Sequence, residues 1–300
     1  MNYFLNLIIG GLTRGSIYAL LALGYTMVYG IIELINFAHG EIYMIGAFTA
    51  LIVALALSYL GLDGISILII ASLIAMVYSA AYGFTMEKIA YKPVRKSLRL
   101  SALISAIGMS LFLQNYVRLA QTSNFIPFPT LVPEMGFLQT LPVRINSAQV
   151  VILGITAIVM VALTFLIKFT RIGKSMRAAS QDKTMAMLLG VNVNRVISVT
   201  FVIGSATAAL GGVLISSFTG QINFYIGFMA GIKAFVAAVL GGIGSIPGAV
   251  LGSFVLGLTE SLGAGYISSD YEDVFAFAIL IIILLLKPSG LLGRPENKKV

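Results

Sequence analysis

Residues 65–82 read ISILIIASLIAMVYSAAY, an uncharged run that ends six positions before Lys88. With its flanks, a helix over this run reaches across the roughly 30 Å hydrocarbon core of a bilayer at 1.5 Å per residue. Lys88, Lys92, Arg95, Lys96 and Arg99 then crowd into the loop that follows. The alternation recurs. Lys168, Arg171, Lys174, Arg177, Lys183 and Arg195 form a second cluster, and Lys287, Arg294, Lys298 and Lys299 a third, so fifteen of the 19 Lys and Arg lie in three places. Basic loops between apolar spans are the positive-inside pattern of a polytopic membrane protein, and they mark the cytoplasmic loops.

Composition agrees. The chain of 300 residues is 59% hydrophobic and 10% charged, with a mean hydropathy of +1.00. A soluble domain carries about a quarter charged residues, so the solvent over most of this surface is lipid. The net charge of +8 reads as loop charge beside an anionic leaflet, not as a nucleic-acid surface, because no basic stripe is interleaved with accessible aromatics. There is no cysteine, which excludes disulfides, thiol chemistry and Cys metal sites. Met1 to Leu12 has no Lys or Arg ahead of its apolar run, so the segment lacks the basic start of a cleaved leader and is expected to stay as a span.

Spans are predicted near 5–30, 41–60, 65–87, 100–120, 148–167, 196–218 and 273–287. A further region, 228–262, is long, Gly-rich and expected to be broken at Pro247. The predicted fold is therefore an all-α polytopic membrane protein of about eight transmembrane helices, or nine if the Gly-rich region crosses twice, with broken or re-entrant Gly-rich segments. Residues 1–300 form one membrane domain. Residues 121–146, with Pro127, Pro129, Pro133 and Pro142, are predicted to form an extended extracytoplasmic loop, since proline fixes φ and removes a donor. Residues 168–195 are predicted to form a cytoplasmic loop. Three spans before Lys88 place the N-terminal end outside, unless a re-entrant element changes the parity, and an even number of crossings must separate Arg195 from Lys287.

Close helix packing in lipid relies on small residues. Gly204, Ala208 and Gly212 stand at four-residue spacing, as do Gly244, Gly248 and Gly252 after the pair Gly241-Gly242. Two compatible readings follow: tight packing, or a discontinuous helix lining a pathway. Arg14, Glu33, His39, Glu41, Lys233 and Glu260 lie in or beside apolar spans, where each charge costs roughly 2.5–3.5 kcal/mol at the bilayer centre. They need a wet cavity, a partner or an interface. Lys233 and Glu260 are the stronger pathway candidates, and a structural pair is the equal alternative. His39 is the single histidine and makes no metal site by itself.

Arg171-Ile172-Gly173-Lys174-Ser175 ends like a phosphate-binding loop, but the glycine required five positions before Gly173 is Lys168. Nucleotide binding by this chain is rejected, and no catalytic constellation is present. The same loop carries a short amphipathic helix, predicted over Ala178–Gly190, opened by Asp182 and closed by Gly190. Met185, Leu188 and Leu189 share a face that lies on the membrane surface, on this chain's own helices, or under a cytoplasmic subunit.

Five motifs in order then resemble the membrane permease subunits of branched-chain amino-acid ABC importers. They are Gly15-Ser16-Ile17-Tyr18-Ala19-Leu20; Ile35-Asn36-Phe37-Ala38-His39-Gly40-Glu41; the loop from Arg177 to Ala186 with Leu189-Gly190-Val191-Asn192; Gly241-Gly242-Ile243-Gly244-Ser245 with Gly248-Ala249; and Lys287-Pro288-Ser289-Gly290-Leu291-Leu292-Gly293. Lys287 stands where the family usually has Arg, and the charge is kept.

The resemblance implies a bacterial inner-membrane complex with a second related permease, two cytoplasmic ATPase subunits and a periplasmic solute-binding protein. ATP and Mg would be bound by the partners, with no cofactor in this chain. Arg177, Ala179, Asp182, Thr184, Ala186, Leu189 and Gly190 would couple to the ATPase. Asn36, His39, Glu41, Lys233 and Glu260 are pathway candidates, and Gly204, Gly212, Gly241, Gly242, Gly244, Gly248 and Gly252 serve packing or hinging. The alternative, from another class, is an ion-coupled secondary transporter of small amino acids or amides.

Overall fold

The computed structural model describes residues 2–95, 97–136 and 145–293. Lys96, Pro142, Arg294, Lys298 and Lys299 lie outside the described residues. Eleven α-helices follow in order among the described residues: α1 (Asn2–Ile32), α2 (His39–Ser58), α3 (Gly64–Met86), α4 (Arg99–Ala120), α5 (Ser147–Phe169), α6 (Arg171–Gln181), α7 (Lys183–Leu188), α8 (Val193–Thr219), α9 (Ile226–Gly241), α10 (Ile246–Tyr266) and α11 (Glu272–Leu286). Among the described residues, seven helical stretches are long and apolar enough to cross a membrane: α1, α2, α3 with its extension to Tyr91, α4, α5, α8 and α10. At 16 and 15 residues, α9 and α11 are shorter, roughly 24 and 22 Å long.

Local chemistry sets the helix ends. Asp63 caps α3 by accepting from the Ser66 amide at 3.1 Å, and hydrogen bonds from Ser66 hold its carboxyl below the usual carboxylate range. Asn146 and Gln149 form a reciprocal capping box at α5. The Asn192 side-chain oxygen Oδ1 accepts from the Arg195 amide at 3.0 Å to cap the start of α8, and Gly220 ends it at φ +68°.

The Gly-rich region resolves into two helices. Gly242 (φ +104°) and Gly244 (φ +89°) occupy the left-handed backbone region between α9 and α10, which side chains disfavour. Ser245 then caps α10, and Pro247 falls in its first turn, where its missing donor costs nothing. Two expectations are corrected here. Gly244 does not continue a ridge with Gly248 and Gly252, because it precedes the helix. The break also comes before Pro247 and is made by the glycines. Across it, Gly241 of α9 packs on Gly248 and Gly252 of α10. The Leu291 and Leu292 amides donate to the Leu240 and Gly241 carbonyls, both at 2.9 Å, so the last motif of the sequence is tied to the Gly241-Gly242 turn.

The core is α1, α2 and α8, with α9 and α10 against α1. The apolar window of α1 is 83% buried at hydropathy 1.6, whereas that of α5 is 22% buried at hydropathy 2.9. Of the seven, α5 is the most apolar and the least buried, which suits a lipid-facing position, and the more polar α1 is wrapped in protein. Small residues make the wrapping possible: Gly204 of α8 meets Gly24 of α1, Gly212 meets the backbone at Tyr43 and Ala47, and Gly40 of α2 meets Gly227 and Gly231 of α9. A two-stranded ribbon pairs β1 (Ile126–Pro127) with β2 (Gln221–Ile222) antiparallel, and Phe128 and Leu131 beside it are buried.

The two ends differ. At one end the Tyr3 hydroxyl donates to the Gly265 carbonyl at 2.7 Å and its ring meets Tyr266, so the starts of α1 and α11 and the end of α10 lie together. At the other, Lys183 of α7 reaches the end of α1, so the start of α1 lies opposite the basic loop at 168–195.

Candidate functional site

Polar groups gather at three places. The first is a cavity of about 300 Å³ between α1, α8, α9 and the ribbon, in the half of the molecule away from α7. Arg14 and Tyr18 of α1, Tyr43 of α2 and Lys233 of α9 line it, and Phe125 and Gln221 stand at its ribbon end. Behind the wall is an ion cluster. The Lys233 ammonium lies 3.2 Å from Glu260, 3.1 Å from Glu272 and 2.9 Å from Asp273. Arg14 lies 2.8 Å from the other oxygen of Glu272, and the Tyr18 hydroxyl donates to Glu260 at 2.7 Å. Glu260 has 0% exposure and Lys233 12%, so the pair is desolvated and each charge depends on the other. Arg14 is therefore an ion-pair member. Sequence reasoning named Lys233 and Glu260 but missed Tyr18, Glu272 and Asp273. The only signal for the last two was the pair of acids opening α11.

The second place is the break between α1 and α2. Residues 33–38 carry no regular structure, and Asn36 and Ala38 are buried. His39 packs against Gly24, eight residues back from the end of α1, so the chain turns back into the protein before α2 begins. Irregular backbone at membrane depth survives where protein surrounds it. Asn36 accepts from the Tyr91 hydroxyl at 2.5 Å, His39 meets the Tyr25 ring edge-on at 4.9 Å, and Glu41 accepts from the Ser110 hydroxyl at 2.9 Å. Among the described residues, Asn36 Nδ2, His39 Nε2 and Glu41 Oε2 have no hydrogen-bond partner. Of the five pathway candidates, Lys233 lines the cavity, Glu260 stands behind it, and Asn36, His39 and Glu41 lie apart at this break.

The third place is the loop at 168–195. Thr170 caps α6, and Gly173 lies against the Leu166 and Ile167 carbonyls, so the GKS triplet is the first turn of a helix. Arg177 donates to the Ile167 and Lys168 carbonyls and folds α6 back on α5. The single helix predicted over Ala178–Gly190 is corrected: α6 runs to Gln181 and α7 starts at Lys183, with Asp182 extended between them. The Asp182 carboxylate accepts from the Thr184 and Met185 amides at 2.8 and 3.0 Å, which is why the chain restarts there. Gly190 (φ +84°) closes α7, with the Gly190 amide donating to Met187 and the Val191 amide to Ala186. Ala179 and Ala186 are buried, which anchors both helices. Met185 and Met187 are 55% exposed, and Leu188 and Leu189 77%, so this chain's own helices leave that apolar face uncovered.

Lys183 joins the second and third places. Its ammonium donates to the Ile32 carbonyl at 3.4 Å and lies 3.6 Å from Glu33. Glu33 has φ +63°, the one non-glycine residue with positive φ among the described residues. Such a conformation is held only by its surroundings.

The family model described as "Branched-chain amino acid transport system / permease component" matches residues 7–284. The chain is 52% identical over 302 residues to the high-affinity branched-chain amino acid transport system permease protein LivH of Escherichia coli, covering 99% of this chain and 98% of that one. It is 50% identical over the same span to BraD of Pseudomonas aeruginosa, a protein described in the same words. LivM of Escherichia coli, also a permease protein of that transport system, is 26% identical over 311 residues, covering 95% of this chain and 70% of LivM. The chain belongs to the permease component family of branched-chain amino acid transport systems.

Proposed function

We propose that this chain is a permease subunit of an ATP-driven importer that moves Leu, Ile, Val or similar neutral amino acids across the bacterial inner membrane by alternating access. Its partners are a second, related permease, two cytoplasmic ATPases that bind ATP and Mg, and a periplasmic solute-binding protein. The observation that carries the reading is the uncovered face of α7: Leu188 and Leu189 at 77% exposure on a helix anchored at both ends, at the basic end of the molecule. An anchored apolar surface needs a cover, and an ATPase groove supplies one. The relatives LivH and BraD support the substrate class, and LivM supports a second permease.

Coupling from α7 runs to the α1–α2 break through Lys183, Ile32 and Glu33. Rigid packed elements with two arrangements carry such coupling. The test is L-leucine uptake by the reconstituted complex. Uptake that needs ATP hydrolysis supports the reading, and uptake driven by an ion gradient with this chain alone overturns it in favour of a secondary transporter. Replacing Lys183 by Met removes an exposed pair worth about 0.2–1 kcal/mol, so folding is expected to be untouched. ATP hydrolysis is expected to continue while leucine moved per ATP falls about threefold or more, a loss of at least roughly 0.7 kcal/mol, just below the lower end of the usual range of about 1–3 kcal/mol for coupling between sites.

A further inference from the structure

We infer that the cavity between α1, α8 and α9 holds one zwitterionic amino acid, with its carboxylate on Arg14 and Lys233 and its apolar side chain against Ile17, Tyr43, Ile215 and Met229. The inference rests on the importer reading for its substrate class, but its argument is the cavity itself.

Size comes first. At about 300 Å³ the space is at the lower bound of small-molecule pockets, which suits a single small ligand. Charge comes second. Both charged side chains in the lining, Arg14 and Lys233, are cations, and among the described residues no acid lines the space. The three carboxylates, Glu260, Glu272 and Asp273, stand behind and hold those cations in place. A ligand amine without a carboxylate therefore meets only cations at that end.

The whole cluster nevertheless has two cations against three carboxylates, a formal excess of one negative charge. A bare carboxylate ligand increases the excess. A zwitterion does not, because its ammonium offsets its own carboxylate within the same field. The lining pattern and the cluster total together select a molecule carrying both charges. The amide side chains of Gln221 and Asn223 supply polar surface at the ribbon end, and Ile17, Ile215, Ile226, Met229 and Ala230 supply apolar surface to the same lining.

The affinity at such a site is low by construction. The cations are already engaged by carboxylates, so a ligand gains only what it adds to existing pairs. A transit site needs this weakness, because substrate must leave it.

The chain has no cysteine, so a single Met229→Cys substitution places one thiol on the cavity wall. Membranes holding the full-length chain with its partner subunits are treated with a small methanethiosulfonate reagent, without ATP. Millimolar L-leucine is expected to slow modification at least threefold, while 4-methyl-2-oxopentanoate and 3-methylbutylamine, which carry one charge each, leave the rate within a factor of 1.5. Adding Arg14→Gln is expected to abolish the protection, and Arg14→Lys to keep part of it. No protection by leucine, or equal protection by the keto acid or the amine, overturns the inference. If wild-type uptake proves independent of ATP, the importer reading fails while the protection by leucine still stands, so the two failures are told apart.

Discussion

Replacing Leu188 and Leu189 together by Asp is expected to release the ATPase subunits and to reduce ATP-driven leucine uptake at least about 100-fold. Both side chains are 77% exposed in this chain, so the change does not disturb its own core. On the proposed reading, each leucine buried against an ATPase would contribute about 1.5–3 kcal/mol. Losing both removes at least roughly 3 kcal/mol, which is about two powers of ten in affinity. Placing two carboxylates in an apolar groove adds a desolvation cost to that loss. The variant is expected to reach the membrane at wild-type level, with an unchanged thermal midpoint in detergent, and to fail to co-purify with the ATPase. Asp182→Ala acts on the same surface by another route. It removes the acceptor for the Thr184 and Met185 amides and costs α7 about 1 kcal/mol of cap stability, so a partial loss of uptake is expected.

The second large effect is expected at Lys233. Lys233→Met leaves Glu260, at 0% exposure, with the Tyr18 hydroxyl as its remaining partner. Breaking a buried pair by removing one partner costs about 3–5 kcal/mol, a large fraction of what holds a domain folded. The variant is expected to accumulate poorly, with a lowered thermal midpoint. Adding Glu260→Gln removes the orphaned charge and is expected to restore most of that stability, because a neutral amide pairs with Tyr18. Leucine uptake is expected to stay low in the double variant. Recovery of both stability and uptake would show the pair to be structural alone.

The span pattern was legible because hydropathy at a 20-residue scale is a property of the chain itself. The predicted segments 41–60, 100–120 and 148–167 coincide with α2, α4 and α5 within about two residues at each end. The side of the molecule on which α1 starts was not fixed by counting. It is shown by contacts between residues far apart in the chain, Tyr3 with Gly265 and Lys183 with Ile32. The predicted spans 5–30 and 41–60 bracket the break at 33–38, but no Gly or Pro stands within it to mark the residue at which the chain leaves the helix. The five-residue π-helical turn that extends α3 over Glu87–Tyr91 had no sequence signal. The ribbon joins Ile126 to Ile222 through two-residue strands, too short for periodicity to reveal. At the cavity, an intramembrane Lys and Glu announced themselves by cost alone, whereas Tyr18 resembles any aromatic residue of a span until the fold brings it to Glu260.

The inner-face contact on α7 is tested most directly by a lone cysteine at Met185, a residue 55% exposed in this chain. A membrane-impermeant maleimide is applied to intact cells and to inverted membrane vesicles, each with and without the ATPase subunits. The account predicts no labelling from outside, rapid labelling in vesicles stripped of ATPase, and protection when the ATPase is restored. Labelling of intact cells from the exterior, or labelling in vesicles at a rate the ATPase does not change, contradicts it.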